Sequence, residues 1–175
     1  MGTRAHVKPP ESPILIGLGA NLPSRYGPPR ETCESALEAL AEFGVSVVRR
    51  SRWYRSAPLP PSDQPWFVNG VAAIETMRDP ASLLAALGEV ERRFGRVRGG
   101  QWSARCLDLD LLDYRGILRD GVEPPELPHP RLHERAFVLL PLAEVAPQWR
   151  HPRLEWRVGD LIADLPAGQL AEPLP

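Results

Sequence analysis

Apolar positions along the chain fall into short blocks whose spacing switches between period two and period 3.6, as strands alternating with helices require. Ile14 to Leu18 is an apolar run that ends in Gly17-Leu18-Gly19-Ala20-Asn21-Leu22, a buried strand leading into a turn. From Glu31 to Phe43, Ala36, Leu37, Leu40 and Phe43 share one face at helical spacing, and Gly44 stops the helix. Val45 to Tyr54 alternates as a strand. Trp66 to Thr76 is a second β-rich segment across the SAPLPPSDQP loop, so the two predict an antiparallel pair with a long connection. Asp79-Pro80 places an N-cap and a first-turn proline at the start of a helix. Leu83, Leu84, Leu87, Val90 and Phe94 form its buried face, and Gly95 ends it. Glu91 lies on that same apolar face, where a buried carboxylate requires a partner. In Cys106 to Tyr114, Leu107, Leu109 and Leu111 face one way while Asp108 and Asp110 face the other.

Strand, helix, strand, strand, helix, strand is the split βαβ order, so the expected fold class is α+β. It has a ferredoxin-like βαββαβ core with an antiparallel sheet, long substrate loops and extra C-terminal helices. Pro130 is expected to open a helix through Ala136 to Leu140 that Pro141 kinks or ends, and Val158 to Leu165 a short last one. A chain of 175 residues buries one core but not two. The expected organisation is a single domain at 14–166 between flexible tails at 1–13 and 167–175.

Charge narrows the partners. A net charge of -1 and a pI near 6.4 provide no global field for nucleic acid or an anionic membrane, so a polyanion must be met locally. No apolar stretch approaches the roughly 20 residues of a membrane helix, and the first thirteen residues have no apolar signal core. Cys33 and Cys106 are far apart without CxxC spacing, which fits a reducing compartment. A cytoplasmic monomer without nucleic-acid or membrane partners is expected. The 21 prolines cluster at 58–65 and 124–130 as well as at both ends, and predict stiff loops that embrace a substrate.

The candidate chemistry concentrates between Gly95 and Asp110. Arg96, Arg98 and Arg105 offer planar charged forks for phosphate oxygens, and Asp108 and Asp110, two apart on a strand, converge on one cation or bracket two. An isolated DxD is more often an acidic solvent face; the arginines just upstream reverse that preference. Trp102 either stacks on a planar ligand or pins its loop to the surface. Phe67 and Asn69 point to one side of a strand, pairing an aromatic face with an amide that can donate and accept. His129 and His133 have zinc-like HxxxH spacing, but Pro130 interrupts a helix between them and a third ligand is lacking nearby; contact of His129 and Arg135 with phosphate fits better. GLGANL lacks the third glycine of a dinucleotide fingerprint, and no GxxxxGK[ST] occurs. A metal-dependent phosphodiesterase and a ferredoxin-like RNA-binding module are the competing classes. The first rests on only two clustered carboxylates, and the second needs sheet aromatics where this strand carries LDLDLL.

Four ordered segments, GLGANL, YRSAPL…DQPWFVNGV, ERRFGRVR…W…AR-CLDLDLL and PHPRLHERAFVLLPLAEVAP, together resemble the 6-hydroxymethyl-7,8-dihydropterin pyrophosphokinases of folate biosynthesis from about Ile14 to Pro147. The resemblance implies a ferredoxin-like α+β enzyme, a diphosphotransferase that moves pyrophosphate from ATP to the pterin hydroxymethyl group and releases AMP. It implies that Asp108 and Asp110 bind two Mg²⁺ ions bridging the ATP phosphates, and that Arg96, Arg105 and the two aspartates carry catalysis. Arg98, Trp102, Arg105, Leu111, His129 and Arg135 would contact ATP. The pterin would lie between Phe67 and Phe137, with Asn69 reading its edge, Ser56, Ala57 and Leu59 contributing contacts and Trp102 closing over it. Gln101, Ala104, Ala57 and Phe67 depart from residues common in that family. A relative that keeps only the pterin slot, without catalysis, is the remaining alternative.

Overall fold

The computed structural model describes residues 12–95 and 105–175. In chain order it comprises β1 (Ile14–Ala20), α1 (Pro29–Ala39) with a 3-10 turn at Leu40–Phe43, β2 (Val45–Arg50), β3 (Tyr54–Ser56), β4 (Phe67–Thr76), α2 (Pro80–Arg93) and β5 (Asp108–Tyr114). A 3-10 turn at Leu132–Glu134, α3 (Ala136–Val145), α4 (Val158–Ala163) and β6 (Ala171–Pro173) complete it. The strands run β5-β1-β4-β3-β6, with β2 also on β4, and all pairings are antiparallel. The α+β architecture with its antiparallel sheet is therefore as the residue pattern predicts.

Strand alternation divides the interior into two layers. Ile14, Ile16 and Leu18 of β1, Ala72 and Ile74 of β4, and Leu107, Leu109 and Leu111 around β5 meet α1 and α2 on one face. Leu15, Val71 and Leu112 meet α3, Trp149 and α4 on the other. Asp79 caps α2 by accepting from the backbone N–H groups of Ala81 and Ser82, both at 3.0 Å. Glu91 on α2 finds the partner its burial demands: its Oε1 accepts from the Leu109 N–H at 2.7 Å, tying the helix to the aspartate-bearing strand.

Several expectations are corrected. The strand expected over 45–54 is two, because Ser51 leaves the ladder: its N–H donates to the Val71 carbonyl at 2.9 Å and its Oγ accepts from the Val71 N–H at 3.0 Å. Trp53 then lies over Gly70, where a Cβ would stand 2.6 Å from the indole. The helix expected from Pro130 starts at Ala136 and passes through Pro141 to Val145; burial of Val138, Leu139, Leu142 and Val145 outweighs the one rung that proline removes. The expected tail at 167–175 is ordered instead. Its β6 pairs with β3, and the Leu174 N–H donates to the Trp53 carbonyl at 2.7 Å, since β3 would otherwise present an unpaired edge. The expectation of an N-terminal tail falls largely on residues 1–11, outside the described residues. Pro13 already belongs to the body, its carbonyl accepting from the Arg115 N–H at 3.2 Å.

Candidate active site

One face of the sheet is only half covered by α3 and α4, and the uncovered half is the floor of a cavity of about 380 Å³. The same side-chain row that contributes Leu15 to the second core continues as Gly17 and Gly19, which keep the floor low. Across it the register sets Gly19 opposite Asn69 on one side and Asp108 on the other, and Gly17 opposite Asp110. Two interstrand steps separate Asn69 from Asp108 by about 10 Å. GLGANL is thus a floor, not a phosphate loop.

At one end of the cavity Phe67, Phe137 and Leu59 supply apolar walls, with Ser56, Ala57 and the prolines at 58 and 60 beside them. Asn69 is buried, and its amide N–H donates to Ser56 Oγ at 2.7 Å; its Oδ1 has no hydrogen-bond partner among the described residues and is the group free to read a ligand edge. The 57–66 loop is tied down by Asn21, whose Nδ2 donates to Gln64 Oε1 at 3.2 Å and to the Pro65 carbonyl at 3.1 Å. Asn21 Oδ1 in turn accepts from the Arg105 N–H at 2.9 Å, so one buried amide links the proline loop to the start of the aspartate strand.

Asp108, Asp110, Arg105, His129, Arg131 and Arg135 line the other end. Arg105 Nη1 pairs with Asp108 Oδ2 at 2.8 Å. Burial, and then the neighbouring Asp108 charge, push the Asp110 carboxyl up to about 7, with Glu91 adding to the rise while Arg135 and Arg105 oppose it. Two acids that repel each other on one strand face suit a shared divalent cation. Burial, followed by the Arg135 charge, pushes the His129 imidazole down to about 4. His129 Nδ1 accepts from the Arg131 N–H at 3.2 Å, so the neutral ring carries its proton on Nε2 and can donate to an oxygen.

The structure brings together Ser56, Ala57, Leu59, Phe67, Asn69, Arg105, Asp108, Asp110, His129, Arg135 and Phe137. Leu111 is corrected: it is buried in the α1–α2 core, and Leu112 lines the cavity instead. Alternation is the cause, since Leu112 points with Asp108 and Asp110 while Leu111 points with Leu107 and Leu109; a bulge follows, Ile16 pairing with Leu111 and Leu15 with Asp113. The extra residue turns Asp113 to the same face as Leu112. Arg96, Arg98, Gln101, Trp102 and Ala104 lie outside the described residues. The sequence pattern missed Arg131, Gly17, Gly19 and the Asn21 link; only Arg131, inside PHPRLHER, carried a local signal.

A slot for a flat ring, continuous with a pocket of carboxylates and arginines, is the arrangement of an enzyme that transfers a charged phosphate group between small molecules. A family model described as 7,8-dihydro-6-hydroxymethylpterin-pyrophosphokinase matches residues 15–147. The chain is 44% identical over 140 residues to a 2-amino-4-hydroxy-6-hydroxymethyldihydropteridine pyrophosphokinase of Pseudomonas aeruginosa, covering 79% of this chain and 83% of that one. It is 40% identical to the protein of the same name from Synechocystis, over 79% of this chain and 69% of that one. It belongs to this pyrophosphokinase family. A crystal structure of an HPPK-DHPS protein in complex with substrates shares the fold, with a TM-score of 0.67 and 12% identity over 88% of this chain and 43% of that one. No helix among the described residues is long and apolar enough to cross a membrane.

Proposed function

We propose that the chain transfers pyrophosphate from ATP to 6-hydroxymethyl-7,8-dihydropterin, giving the pterin diphosphate and AMP for folate synthesis. The observation that supports this most is the cavity that Phe67, Phe137, Asn69, Asp108 and Asp110 line together, with Asn69 about two strand spacings from Asp108. The ring enters between the aromatic walls, with Asn69 Oδ1 accepting from its amino edge. The hydroxymethyl oxygen then reaches the carboxylate end and attacks the β-phosphorus in line. The bond from that phosphorus to the α–β bridging oxygen breaks, AMP departs with the oxygen, and the hydroxyl proton leaves toward the carboxylates. Arg105 and Arg135 match the negative charge of the transferred group, and neutral His129 donates from Nε2 to a phosphate oxygen. Arg96, Arg98 and Trp102 belong to the same assignment by their place in the sequence.

Asp108 and Asp110 form a hard-oxygen donor set that fits Mg²⁺, which keeps waters and takes its other ligands from substrate phosphates. Two such ions would enter with ATP and supply charge neutralisation to the attacking and leaving oxygens. We also propose a cytoplasmic, monomeric enzyme: one chain supplies both ends of the cavity. Incubation with ATP, Mg²⁺ and the hydroxymethyl dihydropterin should yield AMP only when the pterin is present. Formation of ADP, or turnover that ignores the pterin, would overturn the assignment. Asp108→Ala should lose most turnover while its unfolding midpoint stays within a few degrees, because a side chain facing the cavity leaves no void in the core.

A further inference from the structure

The N-terminus of α3 carries Arg135 and Phe137 into the cavity, yet no side chain at its own N-cap position caps it. Arg135 is the N-cap residue and makes no side-chain cap bond, a position at which Ser, Thr, Asp or Asn would satisfy the first free N–H groups. The missing acceptor comes from more than thirty residues away. Gln169 Oε1 accepts from the Ala136 N–H at 2.8 Å, and Gln169 Nε2 donates to the Glu134 carbonyl at 2.8 Å. One side-chain amide thus grips the backbone on both sides of Arg135 and sets the two peptide planes from which that side chain departs. The Arg135 guanidinium carbon in turn lies 5.6 Å from the centre of the Phe137 ring.

The residues that follow Gln169 hold the opposite wall. The Ala57 N–H donates to the Leu170 carbonyl at 3.3 Å, and Ala171 pairs with Ser56 in the β3–β6 ladder. The C-terminal segment is therefore a tie between the two walls of the slot, the Ser56–Ala57 side and the Arg135–Phe137 side. It lies beyond residue 147, where the match to the family model ends.

We propose that Gln169 is a positioning residue for the reaction: through its paired bonds to Glu134 and Ala136 it presets Arg135 and Phe137 in their substrate-binding orientation. The role rests on the pyrophosphokinase reading and adds a residue that touches neither substrate. A corner free to sample other orientations would be competent only part of the time, and apparent affinity falls by that fraction.

The test compares Gln169→Met, which keeps length but makes neither bond, with Gln169→Glu, which keeps the acceptor for the Ala136 N–H. For the Met variant KM should rise about tenfold for both substrates while kcat stays within about twofold, and the Glu variant should recover part of the loss. Hydrogen exchange should show the Ala136 amide protected in the parent and open in the Met variant. A Met variant with the parent's KM values, or a Glu variant no better than Met, overturns the positioning role while the parent's turnover stands. A parent chain without pterin-dependent AMP formation overturns the activity reading, and the role with it.

Discussion

Replacing Asp110 by Asn should make the metal-free protein more stable while removing its activity. The Asp110 carboxyl is pushed from 3.8 up to about 7, so between those values the folded chain holds a proton that the unfolded chain has released. A folded pKa above the unfolded one means a contribution that is fully present below pH 3.8 and lost as pH rises through 7. Above pH 7 the fold therefore carries an unfavourable charge. About three units at roughly 1.4 kcal/mol each set a ceiling of about 4 kcal/mol. Asp110 is not fully buried, and water in the cavity screens the charge, so about 2 kcal/mol is the working figure. For a chain of this size that is a rise in Tm of about 4–8 °C. The measurement is thermal unfolding of parent and Asp110→Asn in EDTA across pH 4 to 8. The Asn variant should unfold later at pH 8, with the gain shrinking steadily as pH falls. An Asn variant equal to or below the parent at pH 8 would refute the reasoning, because it would mean that Arg105 and Arg135 already compensate the charge in full.

Two further outcomes follow from packing and burial. Gly70→Ala drives a methyl to 2.6 Å from the Trp53 ring and should cost about 1–3 kcal/mol in denaturant unfolding. Gly17→Ala, whose Cβ would meet the Leu112 side chain at 3.4 Å, should cost under about 1 kcal/mol; equal losses would contradict the packing seen here. His151 is buried, and burial, with lesser effects from His133 and Arg153, pushes it down to about 4. The unfolded ring protonates near 6.5, so stability is full above that value and declines as pH drops toward 4. His151→Asn should flatten this acid limb in Tm measurements.

What could be read from the chain was local. Leu107, Leu109 and Leu111 announce their strand and its buried face by alternation alone, and Asp79-Pro80 announces a helix start by its own side chain. Features set by distant partners left no such mark. The break at Ser51 depends on Val71 and on the space above Gly70, and the start of α3 depends on Gln169. Strand β6 is only Ala171–Pro173, too short for any periodicity, and exists because β3 offers it an edge. The bulge that turns Asp113 to the same face as Leu112 is likewise set by pairing with β1. Asp108, Asp110, Phe67 and Asn69 line the cavity together because they lie on strand stretches whose period-two pattern is unbroken.

Three acids on β5 differ in how their charge is met by neighbouring groups. Asp113 is fully buried, but donors meet both of its oxygens: Trp149 Nε1 at 2.7 Å and the Gly116 N–H at 3.0 Å. Burial still raises its pKa, and these bonds oppose the rise. Asp108 has Arg105. No hydrogen-bond donor meets Asp110 among the described residues, so its charge at neutral pH is left to long-range help from Arg135 and Arg105. A packed core would be more stable with an apolar side chain there. Asp110 instead faces the part of the sheet that α3 and α4 leave open, on the same row as Gly17. A carboxylate that meets no hydrogen-bond donor among the described residues, next to a second acid and opening into a cavity, fits the proposed Mg²⁺ site.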